Sequence, residues 1–333
     1  MNKVKKVLQD SASWVVLVLL VVLFSALSPR FRTVGNFITI LRQVSVNGIV
    51  AVGLTVILIS GGIDLSTGAQ CAFSGMLCAL LMTRSGWATV PAFLVAIVVN
   101  GAVFGLLNGT AIAQTNMPPL IATLGTMNIA KGVAFLINDG KTVYGLSQAA
   151  TVVGQASLGQ IPVCVLLLVA VLIVGHFILN KTTYGRLIFA VGANKEAARL
   201  SGIPVKLITT SAYVVGSLFI GLGGVVLMSR LNSGLPSAGS DIYIEVLAGC
   251  IIGGVSAKGG EGRVFKMIGG VLVMGVISNG MNVAGLSEYW QYVAKGAILI
   301  VSVGVDAYRT TVALNKKSHT IRSSAANAAA AKH

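Results

Sequence analysis

Residues 85–130 contain no charged side chain, and this long uncharged stretch is the strongest constraint on how the chain folds. As one continuous helix it would be about 70 Å long, more than twice the roughly 30 Å thickness of a bilayer's hydrocarbon core. The sequence Asn-Met-Pro-Pro at residues 116–119 interrupts it, because proline cannot continue a helix. The stretch therefore predicts two membrane-spanning helices, near residues 90–114 and 118–137.

A second long stretch, residues 43–83, contains a single charged residue, Asp64. It also exceeds the length of one crossing, and the sequence SGGIDLSTG at 60–68 supplies the break, since glycine permits irregular backbone. Asp64 or Ser66 can cap the helix that restarts there, but an ionisable group at membrane depth is also a candidate for a transport pathway. Both roles, helix break and translocation pathway, stay open for four residues: Gly61, Gly62, Asp64 and Ser66.

The composition supports a membrane protein over a soluble one. Hydrophobic residues make up 55% of the chain and charged residues 10%, whereas charged residues form about 25% of an ordinary soluble domain. The sequence therefore predicts an all-α, polytopic membrane protein. The net charge of +15 would suit nucleic-acid binding on a soluble surface, but here the basic residues fall in short segments between apolar stretches. We therefore expect the lipid bilayer, and no nucleic acid, as a partner.

Six further apolar stretches complete a set of about ten transmembrane helices, some of them broken: residues 14–28, 161–179, 206–228, 243–256, 265–285 and 288–308. An even number of crossings places both termini on one side. Most Lys and Arg residues lie on that side, which the positive-inside rule identifies as cytoplasmic. The predicted organisation is a cytoplasmic N-terminus at 1–13, a transmembrane domain at 14–309 with a cytoplasmic loop at 180–206, and a cytoplasmic, disordered tail at 310–333.

The loop at 180–206 is a polar, basic segment between two apolar stretches. Asn194 can cap a helix over residues 195–201, Gly202 suits a left-handed C-terminal cap, and Pro204 prevents continuation. A helix of about two turns is marginal in water, so we expect a partner to hold it. Our hypothesis is that this helix docks onto another protein through Ala197, Leu200 and Ile203; the alternative is an ordinary basic loop.

The sequence offers no catalytic centre. The three histidines are scattered, so neither a metal site nor a catalytic triad is predicted. Asp-Gly-Lys-Thr at 139–142 resembles the end of a phosphate-binding loop, but Phe135 stands where that motif needs its first glycine. We predict that the chain is not an enzyme and binds no cofactor of its own.

Several polar side chains lie inside the apolar stretches. The asparagines Asn47, Asn100, Asn108, Asn128, Asn279 and Asn282 are interpreted as hydrogen-bonding neighbouring helices to one another. Asn279 and Asn282 are also kept as candidates for the translocation pathway. Lys131 and Lys295 are interpreted as snorkelling outward, with a role in lining a pathway as the alternative.

Five segments together carry a family resemblance: ILISGGIDLSTGA at 57–69, TLGTMNIAKG at 123–132, TTYGRLIFAVGANKEAARLSGI at 182–203, GGVSAKGGEG at 253–262 and SNGMNVAGLS at 278–287. The chain resembles, over nearly its full length, the permease subunits of ribose-type ABC importers, which carry monosaccharides into bacteria. GGIDLS combined with the spaced G-x-N-x-x-A-A-x-x-x-G-I is specific to that family, while neither motif alone would be.

The resemblance implies a multi-pass protein of the bacterial inner membrane that works as a homodimer. Its partners would be a cytoplasmic ABC ATPase, which holds ATP and Mg²⁺, and a periplasmic sugar-binding protein. It also implies that the short helix is an ATPase-coupling helix, formed by Gly192, Asn194, Glu196, Ala197, Ala198 and Gly202. The expected function is import of a ribose-like aldose. A sugar-derived signal or a nucleoside as substrate, or an ion-coupled secondary transporter, are the alternatives.

Overall fold

The computed structural model describes residues 12–307. The helices are α1 (Ala12–Leu27), α2 (Val34–Ile59), α3 (Thr67–Thr83), α4 (Thr89–Thr115, with a π-helical turn at Gly101–Gly105), α5 (Pro119–Leu136), α6 (Gln148–Gln155), α7 (Val163–Lys181), α8 (Thr183–Ala193), α9 (Lys195–Leu200), α10 (Val205–Leu231), α11 (Ile242–Ile252), α12 (Val264–Val283) and α13 (288–307). A 3-10 turn (Pro29–Arg32) follows α1, and a two-stranded hairpin, β1 (Ser157–Leu158) and β2 (Ile161–Pro162), precedes α7. The predictions for residues 1–11 and for the tail at 310–333 lie outside the described residues.

The helical, membrane-spanning character of the chain is confirmed. Among the described residues, six helices are long and apolar enough to cross a bilayer, namely α2, α4, α5, α7, α10 and α12. The helices α1, α3 and α11 are apolar but shorter. The breaks predicted at 60–68 and 116–119 are both present, because α3 begins at Thr67 and α5 at Pro119. The number of crossings stays a prediction.

Three predicted boundaries were wrong. The helix α2 begins at Val34, well before the apolar stretch at 43–83, because the Thr33 hydroxyl caps it by accepting from the Asn36 backbone amide. The loop at 180–206 contains a second helix, α8, which the Thr182 hydroxyl caps. The expected span at 243–256 is α11, whose 11 residues are about 16 Å long, half a bilayer. It ends at Ile252, because Gly253 caps it and Gly254 adopts the left-handed conformation, with φ of 84°.

Close helix packing at small residues builds the core around α10. A Cβ atom added at Gly105 of α4 would lie 2.6 Å from the Val214 Cα of α10, and one at Gly109 would lie 2.8 Å from the Thr210 Cα. These glycines therefore let the two backbones touch, which is how helices associate in lipid without a hydrophobic driving force.

The loops gather at two opposite ends of the bundle. At one end Arg42 donates to the Gln155 carbonyl at 2.7 Å, Gln155 donates to the Arg230 carbonyl at 3.0 Å, and Val143 pairs with Gly234. At the other end the C-terminus of α2, the C-terminus of α8 and the loop at 253–263 meet. Loops that an alternating membrane topology assigns to the same side therefore lie together in the fold.

The segment between α10 and α11 turns back into the bundle. The helix α10 ends at Asn232 in the left-handed conformation, and the chain then runs to Gly239, which packs on the first turn of α3. A Cβ added at Gly68 would overlap the Gly239 carbonyl oxygen. The half-length helix α11 thus starts inside the protein, and its N-terminal turn faces a polar interior.

Candidate functional site

The short helix predicted after Asn194 is confirmed as α9. The Asn194 Oδ1 accepts from the Ala197 backbone amide at 3.0 Å, and Gly202 adopts φ of 80° directly after the helix. Ala197 and Leu200 of the predicted docking face are exposed, so this face is free to meet a partner, and docking itself stays a prediction. Ala198 is the buried residue of α9, at 4% exposure, whereas Leu200 is 76% exposed. One apolar side chain of α9 therefore packs on its own protein and another projects away from it.

An ion pair lies on the exposed surface of α9. The Arg199 guanidinium contacts the Glu196 carboxylate at 2.6 Å, and the hydrogen bond from Arg199 lowers the pKa of Glu196 below its ordinary value. Exposed pairs at this spacing contribute little to stability. The pair therefore adds little to the stability of the fold, and Glu196 is mainly a charged group on the surface.

Loss of the cap should loosen α9 selectively. Replacing Asn194 with alanine removes the acceptor for the Ala197 amide and should cost about 1 kcal/mol of local helix stability. We expect faster hydrogen–deuterium exchange at residues 195–200 in the detergent-purified protein, with unchanged exchange in α10. Asn194→Ser, which keeps a capping oxygen, should exchange like the wild type. Equal exchange in wild type and alanine variant would contradict the role of the cap.

Four glycines lie directly behind α9, and we call them the glycine junction: Gly61, Gly192, Gly259 and Gly260. The Gly260 amide donates to the Ile59 carbonyl at 2.9 Å, and Gly192 lies against this bond. A Cβ at Gly192 would overlap the Ile59 oxygen, and one at Gly259 would lie 2.6 Å from the Gly61 Cα. The junction thus brings Gly61, predicted at the first helix break, against Gly192, predicted in the coupling segment.

The Asp64 carboxylate is buried in a polar network. It accepts from the Ser66 amide at 2.8 Å, from the Ser66 hydroxyl, and from Gln70 Nε2 at 2.9 Å. Ser66 occupies the cap position of α3, but its hydroxyl makes no capping bond because it donates to Asp64. The network continues through Asn108, which donates to the Ser66 oxygen at 3.2 Å, and through Asn100, which donates to Gln70 Oε1 at 3.1 Å and to the Ser217 carbonyl at 2.7 Å. These asparagines join α3, α4 and α10, as their sequence context predicted.

The structure does not bring Asn279 and Asn282 to Asp64. Asn279 exchanges two hydrogen bonds with Asn36, at 2.9 and 3.0 Å, near the N-terminus of α2. Asp64 follows the C-terminus of the same helix, which is about 35 Å from Asn36 at 1.5 Å per residue. Asn282 is exposed near the end of α12, and Asn128 donates to the Leu124 carbonyl within its own helix. The predicted set therefore belongs to two separate places.

A buried ion pair that the sequence analysis missed lies between α11 and α13. Lys295 Nζ is 2.6 Å from Glu245 Oε1, and both side chains are 8% exposed. Glu245 also accepts from Ser278 at 2.8 Å and from Asn47 at 2.7 Å, so four helices meet at this carboxylate. The expectation that Lys295 snorkels outward was wrong, whereas Lys131 is exposed. Lys295 within an apolar stretch was the one sign of a buried ion pair, but the sequence could not identify Glu245 as its partner because Glu245 lies 50 residues earlier in the chain.

A polar cavity of about 470 Å³ adjoins the ion pair. Its wall includes the middle of α2, the end of α10, the segment that turns back towards α3, and the first turns of α11 and α13. Glu245 and Lys295 form its buried part, while Glu288 and Tyr292 lie at the exposed part. The arrangement can hold a small polar molecule and presents both charged donors and charged acceptors to it.

Comparison with known proteins places this architecture in a family. Residues 36–303 match the family described as the branched-chain amino acid transport system permease component. The chain belongs to this permease family. The permease is 34% identical over 315 residues to a ribose import permease protein of Haemophilus influenzae, covering 93% of the permease and 96% of that relative. No solved structure matches it.

Other relatives are similar over almost as much of the chain. A ribose import permease protein of Bacillus subtilis is 36% identical over 302 residues, covering 90% of the permease and 93% of the relative. An L-arabinose transport system permease protein of Escherichia coli K12 is 38% identical over 298 residues, covering 88% and 90%. The resemblance to ribose-type ABC importer permeases is therefore confirmed, and the relatives are transport permeases.

Proposed function

We propose that the permease is the membrane-spanning subunit of an ATP-driven ABC importer that carries a monosaccharide, a ribose-like aldose, across the bacterial inner membrane. The observation that carries this proposal is the similarity, over about nine-tenths of the chain, to relatives named for the import of ribose and arabinose. The polar cavity beside Glu245 suits such a solute, because a sugar has many hydroxyl groups and no net charge.

The proposed topology has ten crossings with both termini in the cytoplasm. The grouping of loops at two ends of the bundle supports it, as does the excess of Lys and Arg on one side. In this topology α9 and the glycine junction lie at the cytoplasmic face. The cavity opens towards the periplasm, where a soluble sugar-binding protein delivers the substrate. A second copy of the permease completes the transport unit.

The helix α9 is the proposed contact for the ATPase, which holds ATP and Mg²⁺. The exposure of Leu200 supports this role, since a projecting apolar side chain on a short helix suits a partner's groove. The residues proposed for coupling are Gly192, Asn194, Glu196, Ala197, Ala198 and Gly202. Asn194 and Gly202 set the ends of α9, while Glu196 supplies a surface charge.

The glycine junction gives a contiguous route from α9 to the cavity. Motion of α9 moves Gly192, which contacts the loop at 253–263 through Gly260, and that loop continues directly from α11. The other end of α11 carries Glu245 in the cavity wall. Rocking of the ATPase dimer would thus be transmitted to the cavity as rigid-body displacement of a half-length helix.

Disruption of the α9 contact should uncouple the transporter. We expect Leu200→Glu to remove most ATPase that copurifies with the permease and to lower ATP-dependent uptake at least tenfold, because it places a charge in an apolar contact. The matched control is Leu158→Glu, a leucine exposed to 66% in β1 at the opposite end. Copurification and uptake at wild-type level in Leu200→Glu would refute this docking site.

Uptake by the reconstituted transporter tests the proposed function. The permease should be copurified with the ABC ATPase and the sugar-binding protein proposed as its partners, placed in proteoliposomes, and assayed with D-ribose, D-galactose and L-arabinose. We expect ATP-dependent accumulation that an uncoupler does not prevent. Uncoupler-sensitive uptake without ATP would favour an ion-coupled transporter. Uptake of a nucleoside or a sugar-derived signal, but of none of the three sugars, would replace the substrate and keep the mechanism.

A further inference from the structure

The deep part of the cavity is built from two side chains of opposite charge, and this suggests what it contacts. We propose that Glu245 and Lys295 together form a contact site for the hydroxyl groups of the transported sugar. The site rests on the proposed function for its ligand class. It assigns a specific role to an ion pair that neither the family match nor the names of the relatives identify.

The charge balance of the cavity favours an uncharged ligand. Its wall carries two cationic side chains, Arg230 and Lys295, and three anionic ones, Asp241, Glu245 and Glu288. A ligand with a strong charge of either sign would meet like charges within the same small space. A hydroxyl group both donates and accepts, so neighbouring sugar hydroxyls can contact the carboxylate and the ammonium simultaneously.

The geometry of the pair leaves capacity for such contacts. Lys295 carries three N–H donors, and in the described part of the chain Glu245 is the one side chain paired with it. Each oxygen of an ionised carboxylate has about two acceptor positions, so Asn47 leaves room for a further donor at Glu245 Oε2. Bonds to ionised groups are stronger than neutral ones, which makes two hydroxyl contacts effective for orienting a small solute.

The size and position of the cavity agree with this assignment. Its volume of about 470 Å³ falls within the roughly 300–1,000 Å³ typical of small-molecule sites. The pair involves the first turn of α11, a half-length helix that begins inside the bundle. Transport proteins place substrate sites at such discontinuous helices, where irregular backbone lines a cavity and not lipid.

A purely stabilising role explains the pair less well. Buried ion pairs can often be replaced by apolar residues at no cost in stability, because desolvation offsets their attraction. Here the pair stands in the wall of a polar cavity, and Asn47 and Lys295 line the same cavity. Ser278 also binds Glu245 but does not line the cavity, so it offers a way to separate anchoring from sugar contact.

Uptake by proteoliposomes containing the full complex of permease, ATPase and binding protein tests the site. The probes are whichever of D-ribose, D-galactose and L-arabinose the wild type transports, together with the singly deoxygenated analogues of that sugar. We expect Glu245→Gln, and the double variant Glu245→Gln with Lys295→Met, to lower uptake about tenfold or more. The double variant leaves no single buried charge, so it stays informative if Glu245→Gln alone misfolds.

The deoxy analogues distinguish sugar contact from structural support. If a hydroxyl contacts the pair, the wild-type preference for the full sugar over one analogue should shrink at least threefold in the variants. Ser278→Ala should reduce uptake less than Glu245→Gln does, and Lys131→Met, which removes an exposed lysine of α5, should not change it.

Three outcomes have different meanings. If the wild type carries sugar and the double variant has the same uptake rate and the same analogue preference, the proposed site is refuted and the proposed function stands. A variant that loses uptake by the same factor for the full sugar and for every analogue would also refute the site and indicate a structural role. Equal losses of uptake in Ser278→Ala and Glu245→Gln would do the same. Absence of sugar uptake by the wild-type complex would refute the proposed function itself.

Discussion

Replacing Gly192 with alanine is expected to remove nearly all folded permease from the membrane. The added Cβ would overlap the Ile59 carbonyl oxygen and lie 2.7 Å from the Gly260 nitrogen, so it would break the hydrogen bond between them. The neighbours are backbone atoms of α2 and of the loop after α11, which cannot turn aside as a side chain could. Overpacking together with the lost bond should cost about 2–4 kcal/mol.

The measurement is the yield of monodisperse protein after detergent extraction, together with its Tm. Gly125→Ala in α5 is the matched control, because within residues 12–307 no atom beyond the adjoining helix backbone lies within 4 Å of a Cβ at that position, and alanine favours a helix. We expect the Gly125 variant to keep the wild-type yield. A Gly192→Ala protein with wild-type yield and Tm would show that the glycine junction is not packed as described.

The second large effect concerns the buried charges. Glu245→Leu should destabilise the permease by about 3–5 kcal/mol, because it leaves the Lys295 ammonium buried without its counter-charge. Adding Lys295→Met should restore more than half of that loss, since the double variant contains neither buried charge. Most of the free energy of unfolding lost in Glu245→Leu thus comes from burying an unpaired charge, and less of it comes from losing the attraction within the pair.

Unfolding of the purified permease by SDS in mixed micelles would measure this cycle. Glu288→Leu, which removes an exposed carboxylate on α13, should change the free energy of unfolding by no more than about 0.5 kcal/mol. If the double variant were as unstable as Glu245→Leu alone, the two side chains would not be coupled. The result also bears on transport, because a stable double variant that fails to carry sugar separates folding from function.

Features of the permease differ in how fully the sequence predicts them. The helix α9 was found with its cap, because Asn194, Gly202 and Pro204 act on their immediate neighbours. That Ala198 packs on the permease itself while Leu200 projects from it came only from the fold, since this depends on where the rest of the protein lies. The asparagines were correctly predicted to join helices at Asn100 and Asn108, but the identity of each partner came only from the fold.

The sequence predicted the contacts of the candidate site least completely. Gly61 and Gly192 were singled out for different reasons, and nothing local indicated that they meet with Gly259 and Gly260. Asn279 was grouped with Asp64, whereas it pairs with Asn36 at the opposite end of α2. Glu245 received no role from the sequence, because a lone acid near a predicted helix end gives no sign of burial.

The sequence by itself determined that this is a helical membrane protein, where most of its helices break, and that one short capped helix stands between two spans. Hydropathy, helix caps and proline breaks depend only on residues that are close together in the chain, so they can be evaluated without knowing the fold. Only the tertiary structure decided that Glu245 meets Lys295, that the segment before α11 returns to α3, and that glycines from two loops and the end of α8 share one junction. These contacts join residues far apart in the chain, and their energies depend on packing that no local pattern encodes.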